Sequence, residues 1–462
     1  MTGICGLTGP NQEEVEDAVE KMLSAMEKRG TVTHTITSKI SQSQNIAMGA
    51  CEHSSELPKV HEEPVDDSIL VDGNFWGKEE ASGFLQAEPK RLDALLGVPG
   101  AFSFLAFSHD GLVAGRDVLG QKPLYFGTDE KGRYAFASLK VALARIGVLD
   151  PQPVPTGELL KIEGSTKMVS GLNKLARPPS ESIAEEIASE RVGQLLLESV
   201  SKTVPEGSAV SFSGGIDSGL TAYTMKKIRL HTELITVGLQ GQPELEHATQ
   251  VAKAMGLKIR TRELAEEEVL DVLPSVVETV ESFDPMVVST AVPFHFVCYE
   301  ARELDVDTVV AGQLSDELFG GYARFERRAI EGPFELVGEE MWNSVLAASN
   351  NDFEPGDKVA VSLGLELVCP FAYLPLVQYA LSLPTSLKVK VEGENVVRKY
   401  ILRRLAENWG LPRSIVERPK KAFQYSTGIN RVLVNEAKRQ GITVVEFLRR
   451  YLPSRQVYST PT

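Results

Sequence analysis

The chain predicts two sheet-based domains: a strand-rich α+β unit over residues 1–180, and an α/β unit with a parallel sheet and C-terminal helices over residues 181–462. Three observations carry this. The 462 residues are too many for one ordinary core. Short apolar or alternating runs bounded by Gly, Asp and Lys mark the first part, whereas strands and helices alternate in the second. Two breaker stretches, 150–155 and Arg177-Pro178-Pro179-Ser180, lie between these regimes, and the second sets the boundary near residue 180.

The elements follow in order. Residues 13–28 read as an amphipathic helix, with Val15, Val19, Met22, Leu23 and Met26 on one face. Strands are expected at 68–72, 101–107 and 133–136. After the boundary, 182–200 reads as a helix with Ser182 as its cap. A short apolar strand at 209–212 leads through a Gly turn to a helix from Ser218. Strand 234–239, helix 244–255, strand 257–260 and a later strand at 308–311, ending in Gly312, complete the alternation. In such parallel sheets ligands bind beyond the carboxyl ends of the strands, where Ser213 and Gly312 both fall.

Composition narrows the function classes. The chain is 42% hydrophobic and 24% charged, with a formal net charge of −15, which speaks against a broad nucleic-acid or membrane-surface role. No run approaches the roughly 20 apolar residues of a membrane helix. The N-terminus shows no basic segment followed by an apolar core. Cys5, Cys51, Cys298 and Cys369 are scattered without metal-ligand spacing, as expected of reduced thiols in a cytoplasmic protein.

Three segments carry chemistry. Ser213-Gly214-Gly215-Ile216-Asp217-Ser218 lies between a strand and a helix. Its glycines allow close approach of an anion, helix-start N–H groups and Ser hydroxyls can hold phosphate oxygens, and Asp217 can hold Mg²⁺. The alternative is a plain Gly-Gly turn with a capping Ser. Ala311-Gly312-Gln313-Leu314-Ser315-Asp316-Glu317 follows another strand of the same sheet, so Asp316 can approach Asp217 and complete a Mg²⁺ site. The alternative there is an acidic pair at a helix N-terminus. In Arg418-Pro419-Lys420-Lys421, Lys420 offers a positive charge to a departing pyrophosphate, or is a solvated basic turn.

Together these motifs resemble the asparagine synthetase family, over almost the whole chain. SGGxDS is that family's pyrophosphatase-type (PP-loop) signature, which grips the β,γ-phosphates of ATP and leaves the α-phosphorus open. The resemblance implies that Val237 and Gly312 line the adenine pocket and that Glu366, ahead of Pro370-Phe371, belongs to the acceptor region. Arg29-Gly30, the run from Arg116 to Gly127 with its RDxxGxKPLY pattern, and Phe136-Ala137-Ser138 resemble the class II glutamine amidotransferase domain. That implies an Ntn-hydrolase-type αββα sandwich, two sheets between helix layers.

The chain departs from the family at specific places. Thr2 stands where the family's glutaminase has its N-terminal Cys; an N-terminal Thr can also act as a nucleophile through its own amine. Cys5 should pack within a strand. Asp72-Gly73-Asn74 replaces the family's Asn-Gly-Glu, and an anionic Asp72 is a poor oxyanion donor. The glutamine-binding Arg is not found in 50–54, and 83–96 is shortened. The glutaminase is therefore read as inactive. Gln313 replaces a family Glu and cannot take a proton. Val368-Cys369 and Tyr373 replace an Arg and an acidic group of the acceptor site, with Arg324 or Arg398 as candidate compensation.

The expectation is an ATP-dependent, amide-forming ligase. It adenylates a small carboxylate, aspartate by family default, and transfers nitrogen from ammonia or an amine donor, releasing AMP and pyrophosphate. The alternatives are an amine-using relative such as a β-lactam synthetase or peptide macrocyclase, and a non-catalytic ATP-binding paralogue. Retention of Asp217, Asp316 and Lys420 argues against the paralogue. No nucleic-acid or membrane partner is expected, and a homodimer is the assembly considered.

Overall fold

The computed structural model describes residues 2–41, 44–53, 69–87, 90–108, 111–163, 166–170, 173–393, 395–419 and 423–452. The chain begins with two antiparallel sheets. One, in the order β2-β3-β1-β8-β7-β9, uses β1 (Thr2–Gly9), β2 (Val32–Ser41), β3 (Gln44–Glu52), β7 (Tyr125–Thr128), β8 (Tyr134–Ala137) and β9 (Gln152–Pro153). The other, in the order β11-β10-β6-β5-β4, uses β4 (Ile69–Phe75), β5 (Gly100–Ser108), β6 (Gly111–Arg116), β10 (Leu159–Glu163) and β11 (Thr166–Ser170).

Alternation along each strand sets the layers. Ile4, Ile46 and Met48 of the first sheet meet Leu105, Leu112, Ala114 and Ile162 of the second in one buried core. The outer face of the first sheet, with Cys5, Leu7 and Ala47, is covered by Val15, Val19, Met22 and Leu23 of α1 (Gln12–Ala25). Phe102 and Phe104 on the outer face of the second sheet are covered by α2 (Lys78–Gln86) and α3 (Leu92–Leu95), while α4 (Lys140–Arg145) joins α1 on the first sheet's outer face. The result is the expected four-layer αββα sandwich, and Cys5 is a packing residue.

The second unit carries α5 (Glu185–Thr203), β12 (Ala209–Ser211), α6 (Ile216–Lys227), β13 (Glu233–Leu239), α7 (Pro243–Ala254), β14 (Ile259–Leu264), β15 (Thr308–Val310) and β16 (Glu366–Val368). Its sheet runs β14-β13-β12-β15-β16, all neighbours parallel. The chain moves outward from β12 to β14, then returns to place β15 on the other side of β12. That reversal opens a crevice beyond the carboxyl ends of β12 and β15.

Most boundaries shift by a residue or more from expectation: α1 ends at Ala25 rather than at 28, and position 68 of the strand expected at 68–72 lies outside the described residues. Three further shifts concern the second unit. Ser182 does not cap α5: the helix starts at Glu185 after Ala184, because the Glu181 N–H is tied to the Ser382 carbonyl at 2.9 Å and holds the preceding chain extended. Helix α6 starts at Ile216, so Asp217 and Ser218 lie inside its first turn. The strand expected at 257–260 is β14, shifted to Ile259–Leu264, because the Leu257 N–H closes the end of α7 on the Ala252 carbonyl at 3.0 Å.

The helix Glu354–Ser362 binds the two units together through buried charges. Asp357 accepts from Arg29 Nη1 and from Lys122 Nζ, each at 2.8 Å. Glu354 accepts from Arg116 Nη2 at 3.0 Å and from the Tyr125 hydroxyl. Lys358 donates to Tyr125 Oη and Glu281 Oε2, both at 2.8 Å. Every one of these ions meets an opposite charge, the condition under which buried charge is tolerated.

Candidate active site

The loop after β12 folds tightly on itself. The Ser213 N–H donates to Ser218 Oγ at 3.2 Å, and the Gly215 N–H donates to Ser213 Oγ at 3.3 Å. Gly214 has φ +67°, and a Cβ there would press on the His247 ring at 2.9 Å. Only glycine suits that position. His247 Nε2 holds the Gly214 carbonyl at 3.1 Å, and burial pushes the imidazole pKa down, so the ring is a neutral strut. Arg418 Nη1 reaches the Ser213 carbonyl at 3.3 Å, bringing the Arg-Pro-Lys segment to this loop. Lys420 itself lies outside the described residues.

The loop after β15 meets the first at Asp217. A Cβ on Gly312 would lie 2.9 Å from the Asp217 Cβ, so the two loops touch only because residue 312 is glycine. Ser315 Oγ donates to Asp217 Oδ1 at 2.7 Å. Between the two loops sits a residue that motif reading did not find. Lys399, fully buried, places Nζ 2.5 Å from Asp217 Oδ1 and 2.7 Å from Asp316 Oδ1. Its backbone is left-handed at φ +55°, a strained conformation for a lysine, which the surrounding contacts hold. Its signal was weak: a single Lys after a polar hairpin, 182 residues from Asp217.

Asp217, Asp316 and Lys399 together carry one net negative charge and face the carboxyl ends of β12 and β15. The donor set is carboxylate oxygen, which suits Mg²⁺. Among the described residues no group of three or more His, Cys, Asp or Glu forms a metal cage by itself. A Mg²⁺ ion here would need phosphate and water oxygens, as that ion prefers beside a nucleotide. Beside the pair, burial pushes the Glu317 carboxyl up and the Asp316 charge adds to it.

The remaining expected residues divide. Val237 is buried on β13, two positions beyond the Ser211–Ile235 pairing and so beside the loop. Gln313 turns away from that loop. Its Nε2 donates to the Asp352 carbonyl at 3.3 Å, its Oε1 accepts from Cys369 Sγ at 3.2 Å, and it abuts Gly356. Glu366, at the start of β16, accepts a hydrogen bond from Asn74 Nδ2 of the sandwich. Thr2 is buried at the start of β1, in the other unit, with its carbonyl accepting from Arg29 Nε at 2.8 Å. Arg29 also pairs with Asp72 at 2.6 Å. Thus Thr2, Asp72 and Asn74 all connect to the inter-unit contacts, through Arg29 or Glu366.

The expected acceptor region is apolar at Val368 and Cys369. Val368 and Cys369 are buried, and burial pushes the Cys369 thiol up, so it is a packing group. The Tyr373 hydroxyl turns to Glu198 at 2.8 Å and Lys202 at 3.2 Å on α5. Arg398 donates to the Gly321 carbonyl at 2.7 Å and pairs with Glu326, while Arg324 lies over the Tyr322 ring.

The family model for asparagine synthase matches residues 191–351 and 334–442. A Methanocaldococcus jannaschii protein named as a glutamine-hydrolyzing asparagine synthetase is 29% identical over 399 residues, 75% of this chain and 73% of that protein. Escherichia coli asparagine synthetase B is 26% identical over 412 residues, 81% of this chain and 69% of that protein. Among solved structures, a glutamine phosphoribosylpyrophosphate amidotransferase from Bacillus subtilis aligns over 86% of this chain and all of its own, at 11% identity and a TM-score of 0.31. No helix among the described residues is long and apolar enough to cross a membrane.

Proposed function

The chain belongs to the asparagine synthase family, and from that premise we propose that this ATP-dependent, amide-forming ligase adenylates a small carboxylic acid other than free aspartate and then transfers ammonia or an amine to it. The observation that carries the reading is the meeting of the two loops at the switch point of the parallel sheet, with Asp217 and Asp316 on either side of Lys399. In this reading residues 1–180 form the amidotransferase-like domain and 181–462 the synthetase domain.

The backbone N–H groups and Ser hydroxyls of 213–218 hold the β- and γ-phosphates, with Val237 and Gly312 against the adenine. Mg²⁺, when bound by Asp217 and Asp316 with phosphate oxygens, supplies charge neutralisation for the pyrophosphate. An acceptor carboxylate oxygen attacks the α-phosphorus. The bond to the bridging α,β-oxygen breaks and pyrophosphate leaves, with Lys420 as its cationic partner. The nitrogen nucleophile then attacks the acyl carbon, the bond to the AMP oxygen breaks, and the nitrogen loses a proton. Glu366 is the carboxylate proposed to orient that nitrogen; Gln313 is a packing amide.

Ammonia or a free amine is favoured over glutamine as donor. Asp72 is engaged by Arg29 and Asn74 by Glu366, so two groups at the family's glutamine-recognition positions are spent on contacts inside the protein. An acid other than aspartate is favoured because Val368 and Cys369 leave a second carboxylate without a cation there, and a buried carboxylate lacking one is costly. ATP–pyrophosphate exchange over a panel of carboxylic acids tests the reading. At least one acid other than aspartate should support exchange; exchange with none of them, or with aspartate best, contradicts it.

A further inference from the structure

A cavity of about 600 Å³ opens between the linker carrying Arg177, the helix Ser315–Phe319 and the helix Glu335–Ala348. Its apolar wall includes Met341, Trp342 and Leu383. Arg177 stands on its lining, paired with the more exposed Glu339 at 2.5 Å. Glu317, also lining it, accepts from the Tyr322 hydroxyl. The remaining charge is Lys388, 5% exposed. No hydrogen bond or ion pair reaches its ammonium among the described residues. Burial pushes its pKa down to about 7, and the neighbouring Arg177 charge adds to that. An unpartnered buried cation is expensive, and an anion beside it removes the expense.

We propose that this cavity binds an anionic small molecule, a carboxylate or phosphate ester with a compact apolar body, and that its occupancy tunes ATP use. The anionic group pairs with Lys388 and Arg177, and the body lies against Trp342. Two covalent routes lead from the cavity to the ATP loops. Glu317 directly follows Asp316. Lys388 directly precedes the hairpin of Val389–Glu392 and Asn395–Arg398, and Lys399 directly follows it. The binding half of the proposal stands by itself, and the tuning half rests on the ligase reading.

The test uses the full chain and three probes: benzoate, phenyl phosphate and neutral benzamide. Trp342 fluorescence should report binding of one or both anions, with the signal lost in Trp342→Phe. Comparing the two anions separates a carboxylate from a phosphate source. Binding should weaken roughly tenfold or more in Lys388→Met, as for loss of a hydrogen bond to a charged group. Arg177→Gln, at a partly exposed position, should weaken it less and serves as the variant that leaves the interior unchanged. The anion that binds should shift the KM for ATP in the exchange assay, and Lys388→Met should abolish that shift. Benzamide binding as well as benzoate, no response to either anion, or equal affinity in both variants overturns the site. Binding without any change in KM, while exchange itself proceeds, overturns the tuning; absent exchange instead contradicts the ligase reading.

Discussion

Lys399 Nζ lies 2.5 Å from Asp217 Oδ1, inside a contact that also takes in Asp316. One buried ammonium therefore joins the two loops that form the candidate ATP site. Removing it leaves two facing carboxylates. Lys399→Met should destabilise the nucleotide-free protein by about 3–5 kcal/mol, the usual cost of breaking a buried pair. Mg²⁺-ATP should restore more stability to the variant than to the parent, because the metal supplies the missing charge. Urea unfolding with and without Mg²⁺-ATP checks this. Equal stabilisation of both proteins would contradict the placement of the metal.

Asp316→Asn keeps shape and removes one carboxylate charge. Pyrophosphate exchange should fall by at least about 100-fold, since even groups that only support a metal ligand cost 10–100-fold when lost. Circular dichroism should show a folded protein. Unchanged exchange in a folded variant would remove Asp316 from the metal site.

The buried contact between the units predicts acid sensitivity. Burial pushes the Asp357 carboxyl up, but Lys122 and Arg29 outweigh it and hold the pKa at about 2, below the roughly 3.9 of an unfolded Asp. A depressed folded pKa gives stability that is fully present above the unfolded value. It is lost as pH falls from about 4 through about 2. Asp357→Asn should cost about 3–5 kcal/mol at neutral pH, by leaving Arg29 and Lys122 short of charge. It should also flatten the Asp357 part of that acid limb. Denaturant midpoints at pH 7 and pH 3 for both proteins check both statements.

Much of this was legible in the sequence, for local reasons. Ser213–Ser218 and Gly312–Asp316 are short contiguous segments whose glycines and acids carry their meaning along the chain, and the buried face of α1 showed in the spacing of Val15, Val19, Met22 and Leu23. Lys399 and the Arg29–Asp357 pair were not legible. Each joins positions far apart in sequence, 182 and 328 residues, and a lone Lys or Asp carries no pattern. Strand β14 was misplaced for a related reason. Its residues are half-exposed along most of their length, so the apolar Leu257 that closes α7 gave the stronger signal.

Nitrogen supply follows from the sandwich. With Asp72 held by Arg29 and Asn74 by Glu366, the protein should release no glutamate from glutamine. Thr2→Ala should leave ammonia-dependent synthesis within about twofold of the parent, since a residue outside the transition state leaves kcat/KM unchanged. Glutamate release that disappears in Thr2→Ala would instead establish Thr2 as a working nucleophile.

The central claim is that the loop of Ser213–Ser218 holds the β,γ-phosphates and directs attack to the α-phosphorus. Identifying the nucleotide product tests it most directly. ³¹P spectra of the enzyme turning over ATP with an accepted acid and ammonia should show AMP and pyrophosphate in equal amounts. ADP and inorganic phosphate in their place would contradict it.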